Sequence, residues 1–314
     1  MSWVSDSSEV PHRPVLVEEV LRYLVWRDDG LYVDATVGAG GHAEAILRSH
    51  PQARVLGIDA DASAVDLARQ RLQGFGSRFE AVHSNFRELN TVLKERDLSW
   101  VDGILADLGV SSMQLDEGER GFSFTQDGPL DMRMDTQAAT SAAEIVNQLS
   151  EQALADLIFK YGEERYSRRI ARAIVSGRPI TTTRRLAEVI ARCFPRARKY
   201  PIHPATRTFQ ALRIEVNDEL DVLTDFLDHI PDWLPAQGRA VLISFHSLED
   251  RLVKQAMREW QRRELARILT KHVVVAGETE RRQNRRSRSA KLRAAERLAA
   301  VDADDSKHQR PREE

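Results

Sequence analysis

Hydrophobic positions in the first third of the chain switch between two periods. Residues 31–35 (LYVDA), 53–58 (ARVLGI), 79–83 and 101–108 (VDGILADL) are short apolar runs of strand length. Between them, residues 43–48 and 62–72 carry helical spacing, the second through Val65, Leu67, Ala68 and Leu72. This alternation predicts an α/β fold, a parallel sheet with helices on its faces. The rhythm stops at residues 115–135, which are rich in Asp, Gly, Ser and Gln and have neither period. Phe122, Phe124, Met132 and Met134 set that stretch apart from a disordered linker, which is poor in such residues.

A purely helical region follows. Ser141-Ala-Ala-Glu144 has capping-box spacing and opens a helix. Residues 151–161 and 164–175 predict two more, Thr182 or Thr183 caps a fourth that ends near Pro195, and residues 205–227 supply one or two further helices. Strand character returns at residues 238–245 after a glycine turn. A long helix is expected over 248–269 and a β-branched strand over 272–276 (HVVVA), while 289–298 suits either state. The tail from Asp302 is polar and charged. The pattern is that of a sheet interrupted, after its fourth strand, by an all-helical insert.

The 314 residues are 42% hydrophobic, enough to bury a substantial core. The single cysteine, Cys193, excludes an intrachain disulfide and a cysteine zinc site, and it reads as a small buried apolar residue. No metal site is expected. With no signal-peptide pattern at the start and no apolar run of 18 residues, a cytoplasmic protein away from membranes is expected. Net charge is only −2, but it is unevenly spread. Residues 163–213 hold thirteen basic and three acidic side chains, and a second basic cluster spans residues 281–293. Solvated helix faces would explain any one of these arginines; an excess so lopsided favours a nucleic-acid partner.

Candidate chemistry begins after the first strand, at Asp34-Ala-Thr-Val-Gly38-Ala-Gly40-Gly41-His42. Glycines let the backbone turn sharply and approach a ligand, and the amino end of the following helix faces it. Asp59, ending the second strand, is placed to accept hydrogen bonds from ribose hydroxyls. Phe86 and Asp107 follow the third and fourth strands and would reach the same crevice. Such a loop can serve a nicotinamide, a flavin or S-adenosylmethionine. The spacing G-x-G-G, not G-x-G-x-x-G, and the acidic Asp34 ahead of it favour S-adenosylmethionine.

The runs DATVGAGGH (34–42), LGIDAD (56–61), DGILADLGVSSMQLD (102–116) and ERGFSFTQDGPLDMRM (119–134) resemble the bacterial 16S rRNA (cytosine-N4)-methyltransferase family, RsmH or MraW. So do YGEERYSRRIARAI (161–174), HPATRTFQALRIEVNDEL (203–220), ISFHSLEDRLVK (243–254) and RSRSAKLRAAER (286–297). Asn284-Arg285-Arg286 departs from the family's Asn-Pro-Arg. The resemblance implies a class I (Rossmann-like) S-adenosylmethionine methyltransferase fold with an inserted helical domain. The expected division is 1–114 and 217–314 for the two parts of the methyltransferase domain and 115–216 for the substrate-recognition insert. It further implies cofactor contacts at Gly40, Gly41, His42, Asp59, Phe86, Asp107 and Gln114. The implied reaction is methylation of the N4 amine of a cytidine in the decoding (P-site) region of 16S rRNA, within the small ribosomal subunit; a homodimer stays open.

An exocyclic cytosine amine shares its lone pair with the ring, so acceptors on its N–H bonds and a fixed approach are the devices an enzyme can offer. Asp107 and His246 are the candidates for the acceptor, and a hydrogen-bonded structural role is the alternative for His246. A cofactor-binding assembly factor without turnover and a DNA amino-methyltransferase are the rival readings; the missing Pro-Pro-aromatic block after the fourth strand counts against the second.

Overall fold

The computed structural model describes residues 14–195, 200 and 202–299. Helix α1 (Val17–Leu24) leads into β1 (Leu31–Asp34), α2 (Gly41–Ser49), β2 (Arg54–Asp59), α3 (Ala62–Leu72), β3 (Phe79–His83), α4 (Leu89–Lys94) and β4 (Gly103–Asp107). After the short α5 (Ser112–Asp116), the insert holds α6 (Ala142–Gln148), α7 (Glu151–Gly162), α8 (Ser167–Ser176), α9 (Thr183–Ala191) and α10 (Thr206–Val216). The chain then returns to the sheet through α11 (Glu219–His229), β5 (Arg239–Ser244), α12 (Ser247–Arg262), β6 (Ala266–Ile268), α13 (Glu278–Gln283) and β7 (Lys291–Arg297).

The seven strands lie in the order β3-β2-β1-β4-β5-β7-β6. The first five are parallel, and β7 runs antiparallel between β5 and β6. β1 pairs with β2 on one side and β4 on the other, so strand order reverses there and a crevice opens at the carboxyl edge. Asp34, Asp59 and Asp107 are the last residues of β1, β2 and β4, so all three stand at that edge. This is the class I, Rossmann-like methyltransferase architecture, with its helical insert after β4.

Central strands covered on both faces must be apolar throughout, as β4 is: Gly103 to Ala106 are buried. Two hydrophobic clusters flank the sheet, one centred on Ile104, Phe226 and Trp233, the other on Tyr32, Ile46 and Ile243. A third lies within the insert, built from Phe122, Leu130 and Met132 together with Ile158, Ile170, Leu186 and Leu212 of its helices. Residues 115–135, aperiodic in sequence, are therefore anchored by their own apolar side chains. The predicted capping box opens α6: the Ser141 side chain accepts from Glu144 N and the Glu144 side chain accepts from Ser141 N. Thr182 caps α9 in the same region.

Two expectations change, and two open choices are resolved. The helix expected over 248–269 stops at Arg262, because Glu264 adopts a left-handed backbone (φ 57) and Ala266–Ile268 pairs with β7. The HVVVA run forms only an isolated bridge, Val274 to Leu292. β7 is already paired with β5 along 291–296 and with β6 at 295–297, which leaves a short free edge. Residues 289–298 resolve as strand β7, and residues 205–227 as two helices broken at Asp218 (φ 50). The polar tail from Asp302 lies outside the described residues. Among the described residues no helix is long and apolar enough to cross a membrane.

Phe226 is fully buried, with its ring 4.8 Å from Phe86 and 5.8 Å from Trp233. Phe226→Ala is expected to lower unfolding free energy by about 3–5 kcal/mol, read from urea denaturation; a loss below about 1 kcal/mol would mean that this core repacks freely.

Candidate active site

The carboxyl edge of the sheet opens into a cavity of about 510 Å³. Its sheet half is lined by Gly38, Gly41, His42, Asp59, Phe86 and Asp107, and its far half by Phe122, Phe124, Phe209, Gln210 and Arg213 of the insert. Of the residues expected to hold a cofactor, Gly41, His42, Asp59, Phe86, Asp107 and Gln114 meet on its wall, and His246 joins them. Gly40 and Asp34 do not line it. Gly40 makes the turn itself, with φ +80, and a Cβ there would lie 2.9 Å from Leu72 Cδ1, so the glycine also lets α2 pack on α3.

Asp59 fastens the glycine loop. Its Oδ2 accepts from Gly38 N at 2.8 Å and its Oδ1 from Asp61 N at 2.9 Å. Burial nevertheless pushes its carboxyl up to about 6. Asp34 lies under the cavity floor, with Oδ2 buried and lacking a hydrogen bond, and burial raises it to about 7 against the pull of His42. Asp107 is also raised to about 7 by burial, opposed by Arg286, and its Oδ1 is likewise buried without a hydrogen bond. Thr36 Oγ1 fixes the strand end by accepting from Asp107 N at 2.6 Å. Buried carboxylates left short of donors favour the arrival of positive charge.

His42 Nε2 lies 2.8 Å from the Val15 carbonyl, which fixes that nitrogen as the N–H donor; Nδ1 is 3.9 Å from Asp107 Oδ2. Burial depresses the imidazole's pKa, so it is held neutral, and its bare Nδ1 faces the acidic edge. His246 is the N-cap of α12. Its Nδ1 accepts from Glu249 N at 3.4 Å, and its Nε2 lies 3.0 Å from Glu249 Oε1, out of line for a hydrogen bond.

Several participants were not singled out from sequence. Asp61 Oδ2 accepts from Gln114 Nε2 at 3.0 Å and from Arg120 at 2.7 Å. The Ser111–Gln114 capping box that starts α5 was available as an S-x-x-Q signal. Arg286, one of the basic cluster at 281–293, turns inward to line the cavity, and burial lowers its pKa against the attraction of Asp107. Lys291 and Arg293 of the same cluster pair with Asp250. That cluster is thus partly structural. Asn284 caps the single turn Arg285–Arg288, its side chain accepting from Arg286 N at 3.1 Å.

Glu219, His246 and Glu249 bring donor atoms within 4.8 Å of one another, a set able to hold a metal ion. Arg213 already supplies positive charge there: it bonds both Glu219 oxygens at 2.7 and 2.8 Å and stands 3.9 Å from Glu249. Burial works to raise the pKa of Glu249, but His246 and Arg213 outweigh it and hold the carboxyl below its ordinary range.

In the insert, Arg165, Arg168, Arg169 and Arg172 of the α7–α8 region and Arg184, Arg185 and Arg192 around α9 are exposed. Arg178 is instead spent on the carbonyls of Val146 and Leu149. Arg196, Arg198 and Lys199 lie outside the described residues.

The sequence profile of the MraW methylase family matches residues 9–298. A protein of Picosynechococcus sp. called ribosomal RNA small subunit methyltransferase H is 54% identical over 291 residues, covering 92% of this chain and 98% of its own. Proteins of the same name are 49% identical in Acaryochloris marina, over 96% of this chain and 99% of theirs, and 49% identical in Syntrophobacter fumaroxidans, over 91% and 96%. With the profile spanning nearly the whole chain and the glycine loop, acidic strand ends and insert all in place, the chain belongs to the MraW methylase family of S-adenosylmethionine-dependent methyltransferases.

Proposed function

We propose that this chain methylates the N4 exocyclic amine of a cytidine in the decoding (P-site) region of 16S rRNA, within the small ribosomal subunit. The observation that carries the reading is the continuity of one cavity from the acidic sheet edge to the aromatic wall of the insert. One wall suits a cationic nucleoside, the other a flat base. The name shared by the relatives, ribosomal RNA small subunit methyltransferase H, supports the substrate class.

The residues fit the cofactor. The amino end of α2 at Gly41 and His42, the Asp59 carboxylate, the Phe86 ring and Gln114 would hold it, and the under-bonded Asp34 and Asp107 complement its positive charge. When bound, S-adenosylmethionine supplies an electrophilic methyl group on a sulfonium. The protein's own task is then to place the amine and receive its proton. Asp107 is suited to both, because its unsatisfied Oδ1 can accept an amine N–H. His246, with Nδ1 capping α12, is the weaker acceptor.

Phe124 packs edge-on against Phe209 at 5.0 Å and lies 4.5 Å from His203, so it is a fixed platform beside which a base can pack. A base must leave its stack to reach that depth. The exposed arginines of α8 and α9 would meet the phosphates around it. We assign residues 1–114 and 217–314 to the methyltransferase domain and 115–216 to substrate recognition, a division supported by the separate hydrophobic cluster of the insert.

Labelled methyl transfer to small subunits from cells lacking the enzyme, followed by nucleoside analysis, tests the reading. N4-methylcytidine is expected; label on another nucleoside, or none, would refute it. Asp107→Asn is expected to cut turnover by about a hundredfold or more. His246→Ala should cost about 1 kcal/mol of stability through the lost cap, with a smaller loss of turnover. The reverse ranking would move the proton acceptor to His246.

A further inference from the structure

The loop that walls the far half of the cavity is tied down by a single carboxylate on the cofactor side. Arg120 donates to Asp61 Oδ2 at 2.7 Å and, from the same guanidinium, to the carbonyls of Arg133 at 3.1 Å and Met134 at 3.0 Å. Its own carbonyl accepts from Met132 N at 3.0 Å. One arginine thus joins the beginning and the end of the loop, and Phe122, Ser123, Phe124 and Met134 between them face the cavity. Asn217 seals the end from the other side, accepting from Met134 N at 2.7 Å and donating to the Met132 carbonyl at 2.8 Å. The closure is tight: Gly121 has φ +71, and a Cβ there would lie 2.3 Å from the Pro129 carbonyl oxygen.

Asp61 is nearly wholly buried, and both its carboxylate oxygens are engaged. Oδ1 caps α3 by accepting from Ser63 N at 3.0 Å, while Oδ2 takes Gln114 and Arg120. Its backbone N–H donates to Asp59, the carboxylate placed for the ribose. Neither Asp61 nor Arg120 lines the cavity.

We propose that Asp61 and Arg120 form a positioning pair that sets the substrate-facing loop 121–134 against the cofactor half of the site. A planar fork that reaches a carboxylate and two carbonyls at once is something lysine cannot reproduce. The pair binds neither the cofactor nor the base. It fixes the distance between the two binding walls, on which an in-line transfer depends. The consequence for turnover rests on the methyltransferase reading above; the mechanical link does not.

The test is a double-mutant cycle of Asp61→Asn, Arg120→Gln and both together. Asparagine keeps the Oδ1 cap on α3, so Asp61→Asn removes the charge without removing the helix start. Three quantities are read for each protein: cofactor affinity, kcat and KM for small subunits, and amide hydrogen exchange across 121–134. Arg120→Gln, which leaves the Asp61–Gln114 hydrogen bond in place, is expected to bind cofactor within about threefold of the parent, and each single variant to lose about a hundredfold in kcat/KM with faster exchange in 121–134. The double variant should be no worse than the worse single, since either change already breaks the shared contact. Losses that multiply, an Arg120→Gln defect carried by cofactor affinity, or unaltered exchange in 121–134 would each overturn the proposal. If the parent protein itself transfers no methyl group, the functional reading fails, and the exchange data still decide whether the pair holds the loop.

Discussion

Three carboxyl groups at the ends of parallel strands, Asp34, Asp59 and Asp107, are pushed above the ordinary carboxylate range by burial, and an oxygen of Asp34 and one of Asp107 lack a hydrogen-bond donor. The rest of the site follows from that constraint. Parallel strands need apolar side chains along their length, so polar groups collect at the carboxyl edge where the strand order reverses. Ionised, these groups repel one another in a poorly solvated space; protonated, they are tolerated. A ligand carrying positive charge relieves the cost, and the glycine turn at Gly38–Gly41 lets such a ligand come close to the backbone.

The insert solves a different problem. A sheet edge can hold a nucleoside cofactor, but it offers no surface for a large nucleic acid. The helices after β4 supply their own hydrophobic cluster, an aromatic wall at Phe122, Phe124 and Phe209, and an outer face of unburied arginines. Charged contacts join the two parts: Asp61 with Arg120 on one side, and on the other Arg213 with Glu249 and Glu163 with Arg251. Each pairs a residue of the sheet half with one of the insert, so substrate and cofactor walls are referenced to one another through side chains rather than through a flexible linker.

Much of this was legible in the sequence because it is local. Strand ends, the glycine turn, the Ser141–Glu144 box and the two-period rhythm are written within a few residues. What escaped is what distance in the chain conceals. Nothing near Arg120 announces Asp61, 59 positions earlier, and nothing in an arginine-rich segment distinguishes Arg286, which turns inward, from Arg285, which does not. The overlong helix at 248–269 failed at Glu264, a residue with no local breaker signal that is forced into a left-handed turn by the pairing of β6 with β7. His246, a candidate acceptor with a hydrogen-bonded structural role as the alternative, stands at the N-cap of α12, a place that depends on its contact with Glu249.

The account turns on the charge of the acidic edge, and proton linkage in cofactor binding measures it most directly. In the free protein Asp59 titrates near 6 and Asp34 and Asp107 near 7, all above the ordinary carboxylate range because of burial. A cationic ligand favours the ionised forms and lowers all three, so binding must expel protons where they are still held. Titration calorimetry of S-adenosylmethionine at pH 6.5, in buffers of different ionisation enthalpy, should show net proton release, with affinity rising between pH 5.5 and 7.5. Proton uptake, or an affinity flat across that range with no exchange, would contradict it.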